Sequence, residues 1–185
     1  MDLMVRILAM TICLSSETFY LGIDPGKKGA LALINGDLSR IKTWMMPMRE
    51  VLVGGNRRKH IDGCALDKIL KGCLLTFPLK AIVVEHLWSR PSDTPMTAWA
   101  LSDGCAHCHQ ALESLDLGYH LVSPLRWKGK VMGDKANWVG NKQASIEYIQ
   151  KKYPHMPLRL GKQRTDQDGI ADALCLALYG RAVHG

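Results

Sequence analysis

Residues 19–35 read FYLGIDPGKKGALALIN. Phe19-Tyr-Leu-Gly-Ile is a short apolar run that ends in Asp24 and is broken at once by Pro25-Gly26. The run from Gly29 to Asn35 resumes the pattern and closes in an Asn35-Gly36 turn. Apolar runs of this length, bounded by turn residues, predict two strands joined as a hairpin. In alternating strand geometry Tyr20, Gly22 and Asp24 share a face, so Asp24 caps the carboxyl end of a strand that is otherwise apolar.

Working outward, residues 40–46 can supply a third strand. The stretch 47–60 is polar and basic, with Gly54, Gly55, Arg57, Arg58 and Lys59, and reads as a mobile loop. Asp62 can cap a helix to about Leu75 that places Leu66, Ile69, Leu70 and Cys73 on one face. Ala81-Ile82-Val83-Val84 is a buried-strand pattern that ends, like the first strand, in an acid, Glu85. A helix over about 95–115, a strand over 120–122, a Gly- and Lys-rich loop over 124–140, a helix over about 141–153, a basic loop to Arg164 and a last helix over about 166–181 follow. Three strands and then alternation of helix and strand predict an α/β fold with a mixed sheet flanked by helices.

A chain of 185 residues, 47% of them hydrophobic, is long enough for one sizeable core. We expect residues 1–18 to be an N-terminal extension and 19–185 to be one domain. The apolar run 3–14 is interrupted by Arg6 and is far short of the roughly 20 residues that span a bilayer, so no membrane partner is expected. It also makes a poor secretory signal. The six cysteines are spread through helical and apolar contexts, as reduced thiols would be. Cys105-Ala-His-Cys108-His109 spells a haem attachment pattern, with its three ligands at i, i+3 and i+4 of a helix. A pattern this short arises by chance, and no second ligand pair accompanies it to make a zinc site.

The last acidic segment is Asp168-Gly-Ile-Ala-Asp172, whose i, i+4 spacing puts both carboxylates on one helix face. Asp172 is followed by ALCLAL, a stretch apolar on every side, and a lone carboxylate buried there is costly without a cation or a hydrogen-bonding partner. Taken singly, the acids have structural alternatives: Asp168 could complete a capping box with Thr165, Asp24 could initiate a turn, and Glu85 could be an ordinary strand-end acid. Together, Asp24, Glu85, Asp168 and Asp172 form a set of converging carboxylates that would repel one another unless divalent metal neutralised them.

These residues match a family. Leu21-Gly-Ile-Asp24-Pro-Gly26 with Gly29-Ala30 resembles the first motif of the RuvC-type Holliday junction resolvases, crossover junction endodeoxyribonucleases of the ribonuclease H-like superfamily. Val83-Val-Glu85 resembles the second motif and Asp168-Gly-Ile-Ala-Asp172-Ala-Leu174 the C-terminal one. Residues 122–128 and 142–146 are also similar, so the resemblance runs over about residues 19–181. Bacterial members usually space the last two acids at i, i+3, whereas i, i+4 is the spacing of phage-encoded and organellar members; Asp166 is the substitute candidate. The resemblance implies a ribonuclease H-like fold and a homodimer that nicks two strands of a four-way DNA junction. It implies two Mg²⁺ or Mn²⁺ ions per active site, with Asp24 bridging them, Glu85 and Asp172 holding one each and Asp168 completing the set. Other activities left open are cleavage of RNA:DNA hybrid or structured RNA, and non-catalytic binding of branched DNA.

The formal charge of +7 suits a polyanionic partner. Between Arg126 and Arg164 there are ten Lys or Arg against two acids, Asp134 and Glu147, which resembles a phosphate track. Lys128, Lys130, Lys135 and Lys142 lead the candidate DNA contacts, with Arg57 and Arg58 as a second patch. Trp127 is a candidate for stacking on an unpaired base at the branch, or else a core anchor, and so is Trp138. His86 is either a donor behind Glu85 or a packed strand residue. Met96, Trp99, Ala100 and Leu101 form an apolar face suited to a subunit interface. The expected compartment is the cytoplasm, a host's if the chain is phage-encoded, or an organelle.

Overall fold

The computed structural model describes residues 17–89 and 91–185. The expected extension therefore lies, for residues 1–16, outside the described residues. Strand β1 (Phe19–Ile23) pairs antiparallel with β2 (Ala30–Asn35), and β2 with β3 (Ile41–Met45). Strand β6 (Leu79–Glu85) runs parallel to β1 on its other side, and β7 (His120–Val122) runs parallel to β6. The five-stranded mixed sheet has the order β3-β2-β1-β6-β7.

Both faces of the sheet are covered, which is why β1 and β2 are buried at every position rather than alternately. On one face lie α1 (Gly63–Thr76) and α2 (Pro95–Ser114), which pack Leu66, Leu70, Cys73 and Leu112 against Leu21, Ile23 and Val84. Asp62 caps α1 as the sequence predicts, its Oδ1 accepting the Ala65 N–H at 3.1 Å, an arrangement worth about 1 kcal/mol. On the other face lies α5 (Asp168–His184), held between the sheet and helices α3 (Pro124–Met132) and α4 (Ala144–Lys152). Apolar residues all around α5 follow from this position: residues 169–171 and 173–180 are all buried.

Helix α5 rides on bare backbone. A Cβ on Gly22 of β1 would stand 2.1 Å from the carbonyl oxygen of Ala173, and one on Gly169 would stand 2.2 Å from that of Lys28. Any larger residue at position 22 pushes strand and helix apart, and one at position 169 pushes the helix off the turn that follows β1. The i, i+4 pair Asp168 and Asp172 is thereby brought against the carboxyl edge of β1.

The structure corrects the sequence reading in three places. Residues 47–60 are no loop: β4 (Met48–Val53) and β5 (Asn56–Ile61) form a two-stranded hairpin around Gly54 and Gly55, which take positive φ of 56° and 79°. Strand β5 is polar up to Ile61 and the aliphatics of β4 are consecutive, so neither shows an apolar alternation. The stretch 124–140 holds α3 and a 3₁₀ turn (Lys135–Asn137), since Pro124 sits at the first position of α3 and Trp127 and Met132 give it a buried face. The last helix begins at Asp168 rather than 166, and Thr165 does not cap it; Gln167 is the N-cap, with no side-chain cap bond.

Candidate active site

Strand register sets two of the acids side by side. Ile23 pairs with Val84 in the parallel β1–β6 ladder, so the next residues, Asp24 and Glu85, leave neighbouring strands together at the sheet's carboxyl edge. Asp24 enters a tight turn in which its Oδ1 accepts the Gly26 N–H at 3.1 Å and the Gly29 N–H donates to the Gly26 carbonyl at 2.8 Å. Gly29 is required there, because a Cβ would fall 2.1 Å from the Asp24 carbonyl oxygen. Glu85 is only 7% exposed and accepts the Trp127 indole N–H at 2.9 Å. Asp172 comes from α5, half-buried, and accepts from the Ser145 hydroxyl of α4. Asp168 is exposed at the start of α5, its Oδ1 accepting the N–H of Gly169.

The electrostatics show that these groups feel one another. Burial, and then the charges of Glu85 and Asp172, push Asp24 up to about 8, with Asp168 adding a smaller contribution against the Gly26 hydrogen bond. Burial and the neighbouring Asp172 push Glu85 up to about 7, opposed by the Trp127 bond and by the charge of Lys128. Asp172 is raised by burial too, with Ser145 and Lys128 pulling the other way. Buried carboxylates that disfavour one another's ionisation are the arrangement a divalent cation relieves.

The donor chemistry fits such a cation: all four side chains offer carboxylate oxygen, the ligand preferred by Mg²⁺ and Mn²⁺. Among the described residues no three His, Cys, Asp or Glu side chains yet gather in a group that could hold an ion. Glu85 and Asp172 are instead engaged with Trp127 and Ser145. Asp24, Glu85 and Asp172 are the residues that could hold the metal, with Asp168 at the rim. The substitute candidate Asp166 is committed elsewhere: it pairs with Arg159, accepts the Gln150 side-chain amide at 2.6 Å, and lies below the usual carboxylate range because of those bonds.

Of the candidate DNA contacts, Lys128 lies close enough to the acids for its charge to lower both Glu85 and Asp172. Lys130, Lys135 and Lys142 are exposed, and Arg57 and Arg58 are exposed on β5, where Arg57 pairs with Glu50 at 3.2 Å. Trp127 is not available to DNA. It is fully buried on the inner face of α3 and serves as the donor to Glu85, so it is a core anchor and not a stacking surface for a base; Trp138 is 9% exposed and is likewise part of the core. His86 packs against Trp88 with the rings tilted, centroids 4.1 Å apart. Cys108 is in the core while His109 stacks on Tyr119, so the haem-like pattern divides between two environments. Sequence reasoning missed the role of Ser145; its signal is a hydroxyl on the buried face of an otherwise apolar-faced helix.

No protein-family model and no curated protein sequence matches the chain. Among solved structures, the RuvC of T. thermophilus in complex with a Holliday junction substrate is similar over 88% of this chain and 91% of that one, with 13% identity and a TM-score of 0.50. The fold is RuvC-like. A further structure of Thermus thermophilus RuvC matches 88% of this chain and 92% of that one, at 15% identity and a TM-score of 0.49. The RuvC-like fold is ribonuclease H-like, as the sequence resemblance implies, with its mixed sheet flanked by helices. No helix among the described residues is long and apolar enough to cross a membrane.

Proposed function

We propose that this chain is a structure-selective endodeoxyribonuclease that resolves four-way DNA junctions by paired, metal-dependent nicks. The observation that carries the reading is the approach of Asp24, Glu85 and Asp172 from two adjacent strand ends and one helix, close enough that Glu85 and Asp172 raise Asp24 and Asp172 raises Glu85. A structural role does not call for mutual repulsion among buried carboxylates; a hydrolytic metal centre does. The similar T. thermophilus protein was seen with a Holliday junction, which supports the choice of substrate.

In this reading Asp24, Glu85 and Asp172 hold Mg²⁺ or Mn²⁺, two ions per site, and Asp168 completes the set from the rim. Bound there, the ions would activate a water for in-line attack on phosphorus and stabilise charge on the departing 3′-oxygen. The protein's own contribution is positioning. Trp127 orients Glu85, Ser145 orients Asp172, and the Gly26 amide fixes Asp24. Lys128 adds positive charge beside the acids, where a phosphodiester would approach. Lys130, Lys135, Lys142, Arg57 and Arg58 extend a phosphate-binding surface away from the centre.

Two cuts across one junction need two such sites, so a two-fold homodimer goes with this activity. Met96 and Trp99 on α2 are 67% and 50% exposed, apolar surface suited to that interface, while Ala100 and Leu101 are half-buried. The test is incubation with synthetic four-way junction, linear duplex and RNA:DNA hybrid, with and without Mg²⁺. Symmetric nicking confined to the junction and dependent on Mg²⁺ supports the proposal. Preferential cutting of the hybrid assigns the same acids to a different nuclease, and binding without cutting overturns the catalytic reading.

A further inference from the structure

The β4–β5 hairpin is a two-stranded sheet separate from the main one, its strands pairing with each other and, among the described residues, with no other strand. Two isolated strands are marginal in water, so a projecting pair with a polar sequence contributes little to folding. Its root, however, is firmly tied. Ile61 is fully buried, and the Asp62 N–H donates to the Pro47 carbonyl at 2.8 Å. His60 Nδ1 lies 3.4 Å from Asp103 on α2, and the His60 ring meets the edge of Trp99.

That root sits at the rim of the acidic centre. The residue after Asp103 is Gly104, whose Cβ would stand 2.5 Å from the carbonyl oxygen of Pro25, the neighbour of Asp24. Trp99 is also capped by Lys27 of the same turn, with the ammonium 5.8 Å from the ring centroid. From there, strands of six residues at ~3.4 Å each reach roughly 20 Å outward.

The far end is fully solvated and carries both basic and aliphatic side chains. Residues 52–59 are all exposed, and open space surrounds Gly54 and Gly55. Arg57, Arg58 and Lys59 give positive charge, of which only Arg57 has an ion pair among the described residues. Beside them Leu52 is 74% exposed and Val53 54% exposed. Adjacent aliphatics held at the tip of a basic ribbon do not suit water, and phosphate alone would not require them.

We propose that this hairpin is a DNA-binding arm: Arg57, Arg58 and Lys59 track the phosphates of one duplex arm, and Leu52 and Val53 pack against the unstacked bases where the arms separate. The inference rests on reading the chain as a branched-DNA nuclease. It adds to that reading an element that recognises the branch rather than the duplex, since aliphatic side chains gain nothing against phosphate but gain contact area where bases are unpaired.

The test compares wild type with Arg58→Ala/Lys59→Ala and with Leu52→Ser/Val53→Ser, titrated into a labelled four-way junction and a linear duplex with Ca²⁺ in place of Mg²⁺. Both variants are expected to keep the wild-type melting temperature, because the replaced side chains are solvated. The charge variant should bind both DNAs more weakly, with a log–log salt slope shallower by about two. The tip variant should lose roughly tenfold in junction affinity and much less for the duplex. If both variants bind the junction as tightly as wild type while Lys128→Ala/Lys142→Ala binds it weakly, the arm is refuted and the nuclease reading stands. Conversion of a dimer to a monomer by the tip variant would also refute it, assigning Leu52 and Val53 to a subunit contact. A wild-type protein that neither binds nor cuts branched DNA removes the underlying reading and the arm with it.

Discussion

The indole N–H of Trp127 reaches Oε1 of Glu85 across 2.9 Å, joining residues 42 positions apart in a bond that solvent does not touch. A buried carboxylate with one fixed donor keeps a single orientation, and Trp127 thereby acts on the acidic centre without facing it. Trp127→Phe keeps most of the ring and removes the donor. Leaving Glu85 unsatisfied should cost about 1–3 kcal/mol, read by denaturant titration, and Mg²⁺ or Mn²⁺ should bind more weakly because the ligand is no longer held. Metal affinity unchanged from wild type would show that the bond serves packing alone.

The raised carboxyls make a statement about pH. Asp24 titrates near the ordinary carboxyl value of 3.8 in the unfolded chain and at about 8 in the folded, metal-free protein. Between those values the native state holds a proton that the unfolded state has released, so raising pH favours unfolding. This contribution to stability is full below about 3.8 and lost as pH rises through about 8, with Glu85, at about 7, acting in the same direction. Chelator-treated protein should therefore melt lower at pH 8 than at pH 6, and Asp24→Asn should flatten the dependence and melt above wild type at the higher pH. A wild type whose melting temperature rises over this range would contradict the burial of Asp24.

Cleavage should separate the acids by their surroundings. Asp172→Asn removes charge from a half-buried position that Ser145 orients, whereas Asp168→Asn alters an exposed residue at the rim. Asp172→Asn should cost at least about a hundredfold in the rate at saturating junction, on the order of the loss for a catalytic electrostatic group, and Asp168→Asn should cost less. Binding to the junction should persist in both variants, since each loses a charge that repels phosphate. Equal rate losses in single-turnover assays would place Asp168 among the inner ligands.

Salt offers a test of the track on α3 and the loop beyond it. Log Kobs for the junction should fall linearly with log salt, by about 0.9 for each phosphate neutralised. Lys128→Ala/Lys142→Ala should reduce that slope by about two contacts' worth. A flat response in the wild type would exclude the phosphate track altogether.

What was legible in the sequence was what repeats locally. The strand ending in Asp24, the apolar run ending in Glu85 and the i, i+4 pair of α5 carry their own patterns, and strand pairing needed only to bring them together. The hairpin over 48–61 escapes a pattern reading because the aliphatics of β4, Val51, Leu52 and Val53, are consecutive rather than alternating, β5 is polar up to Ile61, and no buried face imposes alternation on most of its length. The helix over 124–132 was hidden by Gly129 and its lysines. Trp127 is placed by its bond to Glu85 of β6 and by the core it shares with α5, and both contacts are invisible along the chain. Ser145 poses the same difficulty: a serine in a helix is common, and its partner Asp172 lies 27 residues away.

The glycines at 22 and 169 have one more consequence. Because main chain meets main chain there, the span between strand and helix is a fixed gauge rather than a cushion of adjustable side chains. The carboxylate from β1 and the carboxylate from α5 are thus held apart by a distance that repacking elsewhere in the core leaves alone. A single methyl group at position 22 is enough to act as a wedge and reset it.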